Sequence, residues 1–323
     1  MALPRPSPRH PWRDALITLC LLLLFSLLGW ATLAPFLQSQ TPPKLQAAEQ
    51  ALDKNNVALA RAQFDAALKA HPDNPDFYLR IATICKRHKQ LDLGIEYIRQ
   101  GLDACKDQSK ADRAQLHSTL AMLLDEAQPA QPQEAIQEAD KALELAPDDP
   151  AMLNLAGYLR ADHDQELDRA QGYLTRALRL AAPKADTPSG ALLLSMIEDS
   201  YGWVLYKQKN YGPAVDALQQ AIEDLPENSL EGDDLKVFYY HLGAASRKAG
   251  LLEEARRAIS IALSYDSSYA PAKAEQAQLA AASAAVPPAV GRKPATSPAP
   301  APSLTPIPGA STTRTAPRSV RSE

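Results

Sequence analysis

The chain has 323 residues, 46% apolar and 22% charged, with only three Cys, which excludes a disulfide-stapled scaffold, a collagen-like chain and a wholly disordered one. Seven of its 27 prolines lie in residues 1–43 and nine in 283–323, so a Pro-poor middle of about 240 residues, enough to bury a core, stands between two unusual ends. Residues 1–43 carry a net charge of +2 and residues 283–323 a net +4, leaving −10 for 44–282, which argues against nucleic acid as the main partner because phosphate binding needs a basic face.

The first element in chain order is apolar. Ala15 to Ala34 is a run of 20 residues without a charge, ALITLCLLLLFSLLGWATLA. A helix of that length spans about 30 Å, the hydrocarbon thickness of a bilayer. Arg5, Arg9 and Arg13 precede it and no Lys or Arg follows until Lys44. The positive-inside bias therefore puts residues 1–14 in the cytoplasm, makes 15–37 a transmembrane signal-anchor and exports the rest. Trp12 and Trp30 stand near the two ends of the run, where amphipathic rings favour the interface. A cleaved signal peptide is the competing reading, with small residues at Ala31 and Ala34; Pro35 opposes cleavage after Ala34.

The middle is repetitive. RAQFDAALKAHPDNP (61–75), EAIQEADKALELAPDDP (134–150), RAQGYLTRALRLAAP (169–183), PAVDALQQAIEDLPENS (213–229) and EARRAISIALSYDSS (254–268) share one pattern of small and apolar residues, often closed by proline. The register is anchored on Ala60, Gly94, Ala135, Ala170, Ala214 and Ala255, at spacings of 34 to 44 residues. Gly202 and Gly243 each stand twelve residues before an anchor and Gly157 thirteen before one. Each unit reads as two antiparallel helices. Gly or Ala sits where the helices cross, Gly202 against Ala214 and Gly243 against Ala255, while Phe64, Leu174, Leu218 and Ile259 fill the wedge between units. No single pair buries its own apolar face, so stacking of neighbours creates the core. Residues 128–133 lengthen one turn within a pair, and 183–190 and 227–234 lengthen two links between pairs.

This pattern resembles the tetratricopeptide repeat (TPR), a 34-residue helix–turn–helix, over roughly residues 44–282. The resemblance implies an all-α solenoid of about six repeats, preceded by one transmembrane helix and followed by the tail. It also implies a concave groove lined by the first helices, and it gives Asn154, Tyr158, Trp203, Tyr206, Lys207, Tyr240, Arg247 and Lys248 as groove residues. These make an aromatic floor (Tyr158, Trp203, Tyr206, Tyr240) beside a cationic edge (Lys207, Arg247, Lys248). Aromatics and Arg are the usual anchors of an interface, and the edge suits a peptide carboxylate. The ninth places, Glu49, Thr83, Met122, Tyr158, Trp203 and Ala244, contain no Asn, so the clamp by which some TPR domains hold chaperone tails is not implied.

The common signatures of enzyme chemistry are missing: there is no phosphate-binding loop, dinucleotide fingerprint, zinc-protease helix or nucleophile elbow. No catalytic residue, metal or cofactor is expected. Asp162, Asp164, Glu166 and Asp168 alternate like the start of a calcium loop, but Leu167 and Tyr173 stand where Gly and Glu are needed, so a turn between helices is the reading. Cys85 and Cys105 read as buried small apolar residues, far apart along one helix pair.

The last element, residues 283–323, is rich in Pro, Ala, Ser and Thr and has too few large apolar groups to offset ordering entropy; a disordered tail with polyproline segments is expected. The whole reads as a non-enzymatic, membrane-anchored scaffold or adaptor for a peptide or protein, without nucleic acid or small-molecule substrate. A bacterial cell membrane with the solenoid outside the cytoplasm and a role in envelope assembly suits the Arg-flanked anchor. A mitochondrial inner-membrane adaptor facing the intermembrane space and a self-associating structural protein are the alternatives.

Overall fold

The structure, a computed structural model, describes residues 42–226, 229–230 and 232–284. The expected anchor at 15–37 and all but the first two residues of the tail lie outside the described residues. Among the described residues, no helix is long and apolar enough to cross a membrane. They form thirteen α-helices and no strand: α1 (Pro43–Asp53), α2 (Val57–Leu68), α3 (Pro75–Arg87), α4 (Leu91–Ala104), α5 (Lys110–Glu126), α6 (Pro132–Leu145), α7 (Pro150–Asp162), α8 (Leu167–Ala181), α9 (Pro188–Lys207), α10 (Tyr211–Glu223), α11 (Gly232–Lys248), α12 (Leu252–Tyr265) and α13 (Ala270–Ala284). These are the six expected helix pairs plus one closing helix that runs two residues into the expected tail.

Local chemistry sets the ends. The side chains of Asn56, Asn74, Ser109, Asp149 and Thr187 accept hydrogen bonds from the first-turn amides of α2, α3, α5, α7 and α9. Proline opens α1, α3, α6, α7 and α9, where its missing N–H costs nothing. The turns inside the pairs repeat one device. Asn55, Lys89, Asp164, Lys209 and Gly250 all take left-handed backbone, and the next residue's N–H reaches back to the last turn, as Asn56 to Ala51 O at 2.8 Å and Asn210 to Leu205 O at 2.9 Å. The third pair lacks this turn because its connection is longer, as residues 128–133 foretell; Gln131 N closes it onto Leu124 O at 3.0 Å.

The anchors Ala60, Ala135, Ala170, Ala214 and Ala255 are fully buried, and so are the wedge residues Phe64, Leu174, Leu218 and Ile259. Burial of such a wedge side chain contributes about 1.5–3 kcal/mol. A Cβ on Gly202 would lie 2.6 Å from Leu218 Cγ and 3.2 Å from Ala214 O, so backbone and wedge residue together demand glycine there. At Gly243 the three atoms nearest a Cβ all belong to Ile259, whose Cδ1 is 2.6 Å away, because the branched side chain one turn beyond Ala255 reaches into the crossing. Gly202→Ala is therefore expected to cost about 1–3 kcal/mol by overpacking. Gly172→Ala, with nothing within 4 Å, is expected to gain about 0.5–1 kcal/mol in a helix interior. Urea unfolding of the two variants checks both signs.

Each first helix approaches the next (α1–α3, α3–α5, α5–α7, α7–α9, α9–α11, α11–α13), whereas among the described residues no two second helices come within 8 Å by Cα. The first helices therefore line the inner side of the curve.

Candidate functional site

The inner face is laced together by polar contacts between successive first helices. Arg87 pairs with Glu49. Lys86 Nζ lies 2.5 Å from Glu126, and His163 Nε2 lies 2.5 Å from Asp125. Trp203 Nε1 donates to Asp162 at 3.0 Å, while Lys207 Nζ donates to Asp162 O at 2.9 Å and to Asp164 at 3.1 Å. His241 Nδ1 meets Asp199 at 2.9 Å, both side chains buried, and Arg247 Nη2 donates to Glu275 of α13 at 3.0 Å. Every junction is bridged at least once. The more open pairs, Arg87–Glu49 and Lys86–Glu126, fix the angle between repeats more than they stabilise the fold, since half-exposed ion pairs contribute at most about 1 kcal/mol.

The aromatic floor sits at the fifth and sixth pairs. Trp203 stacks on Tyr206 (centroids 4.7 Å, planes 9° apart) and on His241 (4.1 Å, 18°), with Tyr240 at 5.7 Å. Tyr269, just before α13, closes edge-on against Tyr240 at 5.6 Å. Burial holds the phenols of Tyr158, Tyr240 and Tyr269 well above the ordinary tyrosine range, so all three remain neutral donors.

The eight expected groove residues lie on the first helices α7, α9 and α11 and have different surroundings. Trp203 is only 3% exposed and works as a core residue between repeats. Tyr158, Tyr206 and Tyr240 are half-buried. Asn154 is half-buried, with its Oδ1 covered and without a partner. The expected cationic edge is mostly turned inward: Lys207 is held by the α7–α8 turn and Arg247 by Glu275, and only Lys248 stands exposed without an ionic partner among the described residues. Glu275, His241 and Tyr269 were missed by sequence. Glu275 and Tyr269 lie beyond the sixth repeat, where the spacing of Ala272, Glu275 and Leu279 was the available signal of one more inward-facing helix.

Two large apolar side chains remain open on this face. Met122 is 41% and Met196 40% exposed. Met122 is at the ninth place of the third repeat and Met196 at the second place of the fifth.

The remaining titratable groups serve the fold. Asp162 and Asp164 of the acidic turn hold Trp203 and Lys207, and Glu166 accepts from Arg160 at 2.9 Å. Among the described residues no group of three or more His, Cys, Asp or Glu is placed to hold a metal ion. Cys85 and Cys105 are buried free thiols, and burial pushes the Cys85 thiol up to about 12, far from the reactive thiolate range.

Glu198 on α9 is different. Burial, with the neighbouring Asp224 charge second, pushes its carboxyl from the ordinary 4.5 up to about 8, and its Oε2 is covered without a partner. A carboxyl whose folded value is raised stabilises the fold most below its unfolded value. That contribution is lost as pH rises from about 4.5 through about 8. Glu198→Gln removes the ionisation, so its melting temperature is expected to exceed that of the wild type at about pH 8.5 and to match it at about pH 4. Thermal unfolding at the two pH values reads this directly.

With the geometry in place, the repeat has relatives. Residues 45–109 match the tetratricopeptide repeat family. A search of curated proteins finds no match. Among solved structures, a monomeric mutant of IFIT1 with m7Gppp-AAAA is similar with a TM-score of 0.52 at 12% identity, over 80% of this chain and 62% of that one. The Cut9–Hcn1 hetero-tetramer of the APC/C is similar with a TM-score of 0.50 at 16% identity, over 73% of this chain and 42% of that one. BtubC (BKLC) from P. vanneervenii gives a TM-score of 0.47 at 14% identity, over 81% of this chain and 100% of that one. The chain thus spans less than half of the Cut9–Hcn1 chain it matches. At these identities the likeness is one of fold. The sequence match to the tetratricopeptide repeat family covers the first two helix pairs, and the likeness of the rest to solved structures is one of fold alone.

Proposed function

We propose that this tetratricopeptide-repeat chain is a non-enzymatic scaffold whose inner face receives an extended peptide or a protein segment. In this reading it is anchored in a bacterial cell membrane through residues 15–37, with the solenoid outside the cytoplasm, and serves the assembly of an envelope complex. The observation that carries the binding reading is the open pair Met122 and Met196 on two of the first helices, which line the inner face. Methionine is a soft, adaptable contact for a peptide side chain, and the half-buried Tyr158, Tyr206 and Tyr240 extend the same surface. The anchor rests on the 20-residue uncharged run and its arginines.

The test is crosslinking capture with the full-length anchored chain beside a Met122→Glu, Met196→Glu variant. Both side chains are open, so the variant keeps its helicity. A defined partner captured by the wild type and lost by the folded variant supports the inner face; equal capture by both sinks it. Self-association is the second reading, favoured by Leu251, Ile261 and Tyr265, which stand exposed on the last helix pair away from the groove. Under that reading the sedimentation mass rises with concentration and Tyr265→Lys abolishes the rise.

A further inference from the structure

The charge balance of the inner face restricts what it accepts. Lys86, Arg87, Lys207 and Arg247 each face a carboxylate, and Asp125, Asp162 and Asp199 each face a ring nitrogen of His163, Trp203 or His241. A charged ligand that engages any of these groups must break a pair and leave a half-covered charge behind; of the expected groove cations only Lys248 stands outside the pairs. A neutral, extended ligand breaks none. It finds two open thioethers and a row of tyrosine rings.

The chain itself carries such a ligand. Residues 294–313, PATSPAPAPSLTPIPGASTT, contain no charge and six prolines, with Leu304 and Ile307 as the large apolar groups. Proline-rich sequence favours the extended polyproline conformation, which loses little entropy on docking against aromatic-lined grooves. Arg292 and Lys293 precede the run and Arg314, Arg318 and Arg321 follow it, against a net −10 on residues 44–282.

We propose that residues 294–313 dock along this chain's own inner face, between Tyr240 and Met122, as an intramolecular ligand that an external partner must displace. The proposal rests on the inner face being the binding surface. The reach is sufficient. The last helix, α13, already lines that face through Glu275 and Tyr269. From Ala284, the ten residues to Pro294 span up to about 33–36 Å, and the uncharged run adds about 60 Å at 3.1 Å per residue. Four steps between first helices, from α13 back to α5, amount to about 32–40 Å at 8–10 Å each. The flanking basic residues fall on an acidic body, which disfavours release.

The experiment places a photo-crosslinking phenylalanine analogue at Ile307 of the full-length chain in detergent micelles and maps the products by mass spectrometry, with isotope-labelled chains mixed in. The expected result is crosslinking within one chain to the segments carrying Met122, Met196 or Tyr240. It should fall about tenfold in the Met122→Glu, Met196→Glu variant, which corresponds to about 1.4 kcal/mol of lost contact. Crosslinks to the outer helices α2, α4, α6, α8, α10 and α12, to the acidic link between α10 and α11, or between chains overturn the proposal, as does crosslinking indifferent to the double variant. The two readings fail differently. If capture of an external partner depends on Met122 and Met196 while Ile307 crosslinks elsewhere, the tail proposal falls and the binding surface stands. If neither depends on them, the surface itself is wrong.

Discussion

Trp203→Ala is expected to lower the unfolding free energy by about 3–5 kcal/mol, the range for truncating a buried large aromatic. Its indole is 3% exposed and stacks between Tyr206 and His241. Its Nε1 proton satisfies Asp162, which also shares the Lys207 ammonium through its backbone carbonyl. Truncation removes the stacking, opens a cavity between the fourth, fifth and sixth repeats, and strips a donor from the half-buried Asp162 carboxylate. Because a solenoid's stability is a sum of repeat and junction contributions, a weakened junction is expected to split one urea transition into two, with the first four repeats outlasting the last two. A single transition with an unchanged midpoint would show that the indole is not a junction residue. For the same reason Trp203→Ala is a poor probe of ligand binding, despite the residue's place in the groove register, and the open methionines are the better ones.

The second large effect is at Arg160, the bulkiest of the fully buried side chains at 1% exposure. Its guanidinium donates to Asp140 at 2.8 and 2.9 Å, to Glu166 at 2.9 Å and to the carbonyl of Ala156 at 3.0 Å, so α6, α7 and the start of α8 meet on one cation. Glu166 holds left-handed backbone at φ 43°, a conformation that a non-glycine residue keeps only when its surroundings impose it. Breaking a buried pair by removing one partner costs about 3–5 kcal/mol. Asp140 and Glu166 are 32% and 53% exposed at the side chain and regain water, so Arg160→Met is expected to cost about 2–4 kcal/mol. Amide exchange gives the sharper readout. Gln165 N, which reaches back to Arg160 O at 2.8 Å, should lose protection before the rest of α7 and α8 does. Unchanged protection there would assign the Arg160 cluster to the surface.

Much of this was legible in the residues because repetition amplifies weak signals. One small residue followed four places on by an apolar or small one says little, but six such runs in phase specify six crossings, and the anchor alanines are buried where the register put them. Glycine at a crossing is forced by backbone proximity, so Gly202 marked its site from sequence even though Leu218 completes the contact. The groove register placed its eight residues on α7, α9 and α11, three of the first helices. What it could not resolve was which groove side chains are free. Lys207 and Arg247 look alike as cations on an inner edge until the Asp164 turn and Glu275 of a thirteenth helix are placed beside them.

The sequence by itself determined the helix pairs, their number, the residues at each crossing and the long turn of the third pair, because each is set by contacts within some 35 residues of chain and by the local chemistry of Pro, Gly and the caps. It also determined the uncharged run at 15–34 and the neutral, proline-rich run at 294–313, which are matters of composition. Only the tertiary structure decided that Trp203 is core, that the inner-face charges are matched in pairs from one repeat to the next, and that Met122 and Met196 stay open. Those facts depend on the rotation between stacked repeats, which brings side chains some 30 to 45 positions apart within 3 Å of one another. That rotation is the summed outcome of packing at every junction, and no single repeat encodes it.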